Sequence, residues 1–306
     1  MINIINNINP DYVIYNFINL SEILRFNVVN KNTKLFMYEH LTIYSNFDSK
    51  IKSNYKDHYD KLIFVSENQY NDYNNYLELN RTIILNNSLS PLFYYNKCIN
   101  NYDSSLINKK KLNIIYISNP QRGLECFKYI FPLLKNKYPN ISLDIYSSLE
   151  LYDIKDNDYL NKLYEDLKNI ENVNYNKPVS QIELINKMNE SLLFIYPTFI
   201  VESFCNSMIE AMSCGCYVVA TNLGALKSVA HPYGTFVDIN IGNKLNHPYY
   251  ESITNKYINN IVNESSKIID LYLNNSLKLD NYLKNQINFV KKKYKNTLDN
   301  LLKHID

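Results

Sequence analysis

The stretch Pro197–Thr221, PTFIVESFCNSMIEAMSCGCYVVAT, carries the order of elements that decides the fold. It follows an apolar strand, opens with a loop that contains Glu202, and continues into a helix predicted at about 205–213. Gly215 ends that helix, because glycine adopts the left-handed conformation that is common after a helix, and the apolar run Cys216–Thr221 predicts the next strand. The stretch is therefore a strand–loop–helix–strand unit of an α/β protein.

The same alternation continues on both sides of this stretch. Before residue 100, strands are predicted at Asp11–Phe17, Lys34–Tyr38, Lys61–Val65 and Thr82–Leu85, and helices at Ser21–Asn27 and from Ser66 onward. After it, strands are predicted at Leu112–Ile117, Ser142–Tyr146, Val173–Tyr175, Leu192–Tyr196 and Phe236–Asp238, and helices at Leu124–Tyr138, Tyr159–Ile170 and Gln181–Glu190. Fully apolar strands that alternate with helices indicate a parallel sheet covered on both faces.

Three segments are predicted along the chain. The polar run Asn96–Lys111 has the composition of a linker, so we expect one domain at residues 1–105 and a second at 106–276. The chain is predicted to be helical from Glu251 onward, and a C-terminal helix is expected at 277–306. Its apolar positions recur every three or four residues, at Leu283, Ile287, Val290, Tyr294, Leu298 and Leu301.

Composition excludes few classes of protein. The 306 residues carry a net charge of +2, with 46% hydrophobic and 20% charged residues, so no bulk charge favours nucleic acid. No apolar stretch approaches the ~18–20 residues of a membrane span. The five cysteines have no metal-ligand spacing, and an odd number without a signal peptide predicts reduced thiols and a cytoplasmic location.

The spacing of two acidic residues suggests a ligand. Glu202 and Glu210 lie eight residues apart, which corresponds to roughly 12 Å if the segment is helical. Between them lies a helix N-terminus, where backbone N–H groups attract anions. A molecule with a hydroxyl-rich group, a diphosphate and a second hydroxyl-rich group would fit this order, and nucleotide sugars have that order.

These residues resemble the signature of the retaining GT-B glycosyltransferases of the GT4-like superfamily. That signature reads E-x7-E, followed by E-A-M-x-x-G and a V-V strand, and Glu202, Glu210 and the run Glu210–Gly215 match it. The resemblance implies a GT-B fold. This fold has two Rossmann-like domains whose parallel sheets face each other across a cleft, with C-terminal helices that pack back. Relative to the family, we expect either that the first domain is trimmed or that this chain is one piece of something larger.

The resemblance also implies roles for individual residues. Arg122, just before Gly123, corresponds to the basic residue that clamps the donor diphosphate, and arginine suits bidentate phosphate binding. His40 corresponds to the histidine that approaches the reacting sugar. The catalytic set implied is thus Glu202, Arg122 and His40, and the donor-binding set implied is Ser118, Arg122, Val179, Ser203, Phe204, Cys205, Asn206 and Glu210.

By resemblance, the reaction is the transfer of a hexosyl group from a nucleoside diphosphate sugar to a hydroxyl, with retention of configuration. The leaving phosphate would deprotonate the acceptor, which is expected to be a glycan, protein or lipid hydroxyl. Other domains or chains would supply further acceptor contacts. No cofactor and no essential metal are expected. Asp156-Asn157-Asp158 has the spacing of a D-x-D metal motif, but its polar loop favours a solvated turn.

Two other functions remain open from the sequence. The chain could be a degenerate GT-B module that binds a partner or a glycan without catalysis, or a nucleotide-sugar epimerase of the same fold. A dinucleotide-dependent dehydrogenase is disfavoured, because the sequence contains no G-x-G-x-x-G.

Overall fold

The computed structural model describes residues 11–16, 34–40, 60–77, 81–95, 105–239 and 254–295. The chain forms two compact units. The first comprises the described residues up to Asn87 together with Glu202–Phe204, and the second comprises those of Ser88–Val201 and Cys205–Lys295. The domain limits inferred from the sequence, at residues 105 and 276, stay predictions.

The first unit contains a parallel sheet of four strands in the order β1-β2-β3-β4. Phe36, Ile63, Ile83 and Leu85 form its apolar core. All four predicted strands are confirmed, and one helix, α1, follows β3; the predicted helix Ser21–Asn27 lies outside the described residues. The bounds are β1 Tyr12–Asn16, β2 Lys34–Glu39, β3 Lys61–Phe64, α1 Glu67–Leu77 and β4 Thr82–Ile84.

Local hydrogen bonds define where α1 begins. The Ser66 hydroxyl accepts a hydrogen bond from the Gln69 N–H at 3.1 Å, and Gln69 Oε1 accepts one from the Val65 N–H at 2.8 Å. This reciprocal pair is a capping box, which satisfies two backbone donors at the helix start. The serine that the sequence marked as the helix start therefore caps it.

The second unit contains a parallel sheet of six strands in the order β10-β9-β8-β5-β6-β7. Numbered from β5, this is the 3-2-1-4-5-6 order of the Rossmann fold. The first elements are α2 Pro91–Tyr94, β5 Lys111–Ile117, α3 Phe127–Lys137, β6 Ser142–Tyr146, α4 Asp158–Lys168, β7 Val173–Asn176 and α5 Gln181–Glu190. The remainder are β8 Ser191–Tyr196, α6 Asn206–Ser213, β9 Tyr217–Thr221, α7 Leu226–Ala230, β10 Thr235–Val237, α8 Asn255–Asn274 and α9 Ser276–Lys293.

The apolar strands explain why the sheet is covered on both faces. Every residue of β8 and of β9 is buried. The connections β5–β6–β7 run one way along the sheet, and β8–β9–β10 run the other way. Because such crossovers are right-handed, α3 and α4 lie on one face and α6 and α7 lie on the opposite face.

Two predicted helices differ from their expected limits. The helix predicted at Leu124–Tyr138 begins as a 3-10 turn, Leu124–Cys126, before α3. The predicted C-terminal helical region is two helices, α8 and α9, separated at Asn275, whose side chain caps α9 through the Lys278 N–H at 3.3 Å. The expected apolar face of α9 is buried as far as Tyr294, and Leu298 and Leu301 lie outside the described residues.

Buried polar side chains hold the C-terminal end of α6. Lys110, only 4% exposed, donates from Nζ to the carbonyls of Cys214 at 2.8 Å and Met188 at 3.2 Å. From α9, Gln286 Nε2 donates to the carbonyls of Met212 at 3.1 Å and Cys216 at 2.9 Å. These contacts satisfy carbonyls that a helix end leaves without an intrahelical donor.

Replacing Lys110 by Met keeps much of the stem but removes the donor to Met188 and Cys214. We expect the free energy of unfolding, measured in urea, to fall by about 1–3 kcal/mol, because buried carbonyls lose a partner. The neighbouring change Lys111→Met removes only an exposed ion pair with Glu190, which is worth less than about 1 kcal/mol. Equal losses in the two variants would contradict this role of Lys110.

Candidate donor-binding site

The site is built where the second sheet changes direction. Strands β5 and β8 are neighbours, but β5 leads to β6 on one side and β8 leads to β9 on the other. In open α/β sheets, ligands bind outside the carboxyl ends of the strands at such a switch point. The loops that follow β5 and β8, beginning at Ser118 and at Pro197, are therefore the first candidates for ligand contacts.

Gly123 fixes the loop after β5 against the loop after β8. Its φ of +90° is a left-handed conformation, and a Cβ at this position would lie 2.1 Å from the Pro197 carbonyl oxygen. Only glycine allows this close approach of two backbones. Arg122, half-buried, precedes Gly123, and its N–H binds the Asn119 carbonyl at 2.9 Å. The backbone that carries Arg122 is thus held at the switch point.

Hydroxyl groups join the ends of the neighbouring strands. The buried Ser147 donates its Oγ hydrogen to the Ser118 carbonyl at 2.5 Å, and Tyr175 Oη donates to the Ser147 carbonyl at 2.6 Å. Ser118 Oγ lies 3.4 Å from Tyr196 Oη. Ser118 and Ser147 therefore connect the carboxyl ends of β5, β6, β7 and β8.

Helix α6 begins where the sequence predicts it. Its first residue is Asn206, and the side chain of the cap residue Cys205, which has φ −174° and ψ 96°, caps no backbone N–H and instead lies 3.4 Å from Ser207 Oγ. By contrast, α4, α5, α8 and α9 each have a capping side chain, from Asn157, Ser180, Thr254 and Asn275 respectively. Helix N-termini attract anions, so the start of α6 is a candidate anion-binding position.

Ser203 and Phe204 lie before the helix, and their expected part in donor binding stays a prediction. The estimate of 12 Å between the carboxylates assumed helix throughout, whereas only the part from Asn206 to Glu210 is helical.

The surroundings of Glu210 change the pKa of its carboxyl group. It lies in the second turn of α6 and is half-buried, and this burial raises its pKa from 4.5 to about 7. At neutral pH it therefore exists in both protonation states. A carboxylate accepts hydrogen bonds from sugar hydroxyls, so deprotonation favours the contact expected for Glu210.

Val179 lies in the loop between β7 and α5. It is half-buried, and the next residue, Ser180, caps α5 through the Glu183 N–H at 3.3 Å. The structure thus places Ser118, Arg122 and Val179 at the carboxyl ends of the second sheet.

The remaining predicted residues lie in the first unit. Glu202 and Phe204 are buried, and Ser203 between them donates its Oγ hydrogen to the His40 carbonyl at 2.6 Å. Ser66 Oγ donates to the Ser203 carbonyl at 2.6 Å. The segment Glu202–Phe204 is therefore bound at the ends of β2 and β3, and His40 and Glu202 come together although they are far apart in sequence.

His40 lies against the ring of Tyr38, with the ring centroids 4.4 Å apart. Burial lowers the pKa of His40 below its usual value of 6.5. The imidazole is therefore mostly neutral at pH 7.

Sequence reasoning missed the part that Ser66 and Ser147 play. The sequence predicts a helix start at Ser66 and assigns no role to Ser147, and the long-range hydrogen bonds of both have no local sequence signal. The Asp156 carboxylate accepts from Ser148 Oγ at 2.7 Å and from the Leu149 N–H at 2.9 Å, so the D-x-D spacing serves loop closure. Among the described residues, no group of three His, Cys, Asp or Glu side chains could hold a metal ion.

Residues 100–243 match the model of the family described as Glycosyl transferases group 1. The chain is therefore similar to this family over residues 100–243. No curated protein matches the chain in sequence. The predicted resemblance to a group 1 glycosyltransferase is thus confirmed, whereas the motif assignment of Glu202 and Glu210 and the role of Arg122 stay predictions.

Solved structures with the GT-B fold superpose on the chain. A mutant of S. aureus TarM, in complex with fondaparinux, alpha-GlcNAc-glycerol and UDP, gives a TM-score of 0.68 at 17% identity, over 100% of this chain and 58% of TarM. A glycosyltransferase from Rickettsia africae ESF-5 gives 0.69 at 15% identity, over 99% and 78%. Anabaena HepE in complex with UDP-glucose gives 0.63 at 15% identity, over 93% and 74%. The chain spans less than two thirds of the length of TarM. These superpositions confirm the predicted GT-B fold.

Within the part of the chain that the structure describes, no helix has the length and apolar character needed to span a bilayer.

Gly123→Ala tests the contact between the two loops. The new methyl group would lie 2.1 Å from the Pro197 oxygen, and a left-handed alanine costs about 1–2 kcal/mol by itself. We expect lower stability and an affinity for UDP, measured by calorimetry, that falls at least about tenfold. In the control Gly234→Ala, φ is also positive, but the Cβ would meet the Phe236 side chain. This control should lose stability and keep its affinity for UDP; unchanged UDP binding by Gly123→Ala would contradict the role of Gly123.

The raised pKa of Glu210 predicts a pH dependence of stability. The folded chain holds this proton more tightly than the unfolded chain, so Glu210 lowers the free energy of unfolding as pH rises from 4.5 to about 7. Glu210→Gln lacks this loss. Relative to the parent chain, the variant should gain on the order of 1–3 kcal/mol between pH 5 and pH 8 in urea unfolding. A difference that is identical at the two pH values would show that the carboxyl is not perturbed.

Proposed function

We propose that this chain is a glycosyltransferase that moves a hexosyl group from a nucleoside diphosphate sugar to a hydroxyl, with retention and without an essential metal. One observation carries the proposal. Within the segment that matches the group 1 family model, Gly123 packs against Pro197. This contact holds the Arg122 loop at the switch point of a Rossmann-type sheet. The loop after the neighbouring strand leads into the N-terminus of α6.

Arg122 and the N-terminus of α6 bind the donor diphosphate in this proposal. Charge develops on the diphosphate as the sugar leaves, and groups that stabilise this charge lower the barrier most. The planar guanidinium of Arg122 suits phosphate, and the N–H groups after Cys205 supply further donors. These groups provide the positive charge that a metal ion supplies in other enzymes, which supports a metal-independent reaction.

The two glutamates give the donor its orientation. Glu210, in the second turn of α6, accepts hydrogen bonds from the ribose hydroxyls, and Val179 lies where its backbone meets the nucleobase. Glu202, in the segment just before the helix cap, meets the donor sugar. TarM and HepE were solved with UDP and with UDP-glucose, so a uridine diphosphate hexose is the first donor to test.

The departing phosphate takes the acceptor proton on the same face of the sugar, which gives retention without a protein base. His40, neutral at pH 7, contributes to the surroundings of the sugar, and its carbonyl holds the Glu202 segment through Ser203. A glycan, protein or lipid hydroxyl in the cytoplasm is the acceptor class, and further domains or chains supply acceptor contacts.

Variants of the donor-binding groups test the proposal on a panel of nucleotide sugars. Arg122→Ala should lower the rate of transfer or donor hydrolysis by about 10²–10³-fold, the usual cost of removing one group that stabilises developing charge. Glu202→Gln should also lower the rate, because it removes a charged contact to the sugar. Product release is followed by chromatography, and the anomeric configuration by NMR.

The controls use exposed residues of the same type, Arg81→Ala and Glu165→Gln, which should keep the parent rate. Tight donor binding without turnover, in the parent chain as well as in every variant, would favour a binding module. Conversion of the donor to its epimer without an acceptor would favour an epimerase. If no nucleotide sugar binds by calorimetry, both sugar-transfer and epimerase functions fail.

A further inference from the structure

The second unit contains a cavity of about 220 Å³ beside the loop that carries Arg122. Gln121 and Gly123, the two neighbours of Arg122, line it from this loop. Phe199, from the loop after β8, and the first turns of α4 complete the wall. Pockets for drug-sized molecules measure about 300–1,000 Å³, so this cavity suits a single small ring.

The cavity is distinct from the donor site. It is lined by residues of α4, whereas Glu210 lies on α6, and these two helices cover opposite faces of the sheet. Ser118, Arg122 and Val179 are not among the residues that line it. Arg122, which is proposed to bind the donor, therefore lies between Gln121 and Gly123, and these two residues line the cavity.

The walls of the cavity combine apolar and hydrogen-bonding groups. Phe199 and Tyr159 present aromatic rings, and Leu160 and Leu163 form a buried apolar base. Glu125 supplies a half-buried carboxyl group that accepts a hydrogen bond from Tyr159. Gln121 adds an exposed side-chain amide on the loop.

The polar groups that line the cavity disfavour the binding of two kinds of molecule. An apolar molecule would bury the Glu125 carboxyl and the Gln121 amide and offer them no new hydrogen bond in place of water, which is unfavourable. An anionic guest would be repelled by Glu125, because the nearby Lys128 is paired with Asp166 at 2.8 Å. A neutral sugar ring satisfies both requirements: its C–H face packs on aromatic rings, and its hydroxyls donate to a carboxylate and bind an amide.

We propose that this cavity is a second carbohydrate site, which holds one neutral sugar unit of a glycan chain. Its position next to Gln121 and Gly123 means that occupancy contacts the backbone on both sides of Arg122. The site goes beyond the proposed transfer reaction, and it can exist whether or not the donor site is active.

Selective isotope labelling gives a local readout of the site in the full chain. The sequence contains five glycines and a single Arg-Gly pair, Arg122-Gly123. A sample with carbonyl-¹³C arginine and ¹⁵N glycine therefore identifies the Gly123 amide signal by NMR. Methyl α-glucoside, methyl α-galactoside and N-acetylglucosamine are the neutral probes, glucuronate is the anionic probe, and cyclohexanol is the apolar ring.

At least one neutral sugar should shift the Gly123 signal saturably, with a dissociation constant on the order of millimolar. The Gly215 signal should stay unchanged, since Gly215 lies against Leu106, Ile287 and Lys110 instead. Phe199→Leu should weaken the sugar about three- to tenfold by removing an aromatic face. The matched control Tyr129→Leu, at an exposed tyrosine outside the cavity, should leave the affinity unchanged.

Three results would overturn the proposal: no response of Gly123 to any neutral sugar, an equal response to glucuronate or cyclohexanol, or equal weakening by Phe199→Leu and Tyr129→Leu. Glu125→Gln, which keeps the side-chain shape, covers the case in which Phe199→Leu fails to fold. The Glu125→Gln variant should have a changed affinity for the sugar and an unchanged affinity for UDP. A sugar response without a UDP response would refute the donor site alone, and a UDP response without a sugar response would refute this second site alone.

Discussion

The close contact between Gly123 and Pro197 determines the geometry of the candidate donor site. Two adjacent parallel strands, β5 and β8, deliver their loops to the same edge of the sheet, and the two backbones approach to a distance at which a Cβ would not fit. A left-handed residue without a side chain satisfies both the turn and the approach. The position of Arg122, and of the residues on either side of it, follows from this one constraint.

Helix α6 depends on contacts at its other end. Its C-terminal carbonyls and those that follow accept hydrogen bonds from Lys110 and Gln286, which come from distant parts of the chain. A buried ammonium there also complements the negative end of the helix dipole. The N-terminal end carries no side-chain cap from Cys205, and a diphosphate is proposed to bind there. The helix is therefore satisfied at one end by the protein and suited at the other end to a ligand.

The segment between β8 and α6 shows what local reasoning could and could not provide. The sequence predicts a helix at about 205–213, and the structure confirms it with Asn206 as the first helical residue. Just before it, Ser203 forms hydrogen bonds with His40 and Ser66 through its hydroxyl and its carbonyl. No property of residues 203–206 alone reveals these long-range partners. The pKa of Glu210 is a similar case, because it depends on how tightly its neighbours exclude water.

The sequence alone determined the alternation of strands and helices, the parallel sheets, the resemblance to group 1 glycosyltransferases and the identity of the acidic and basic residues at the candidate site. These features are local: apolar runs of strand length, glycines after helices, and a motif within one stretch of chain. Only the tertiary structure decided that Gly123 packs on Pro197, that Ser147 and Lys110 serve distant carbonyls, and that a cavity lies beside the Arg122 loop. The physical reason is that hydrogen bonds and close packing act between groups near in space, and Lys110 and Cys214 are 104 residues apart in sequence.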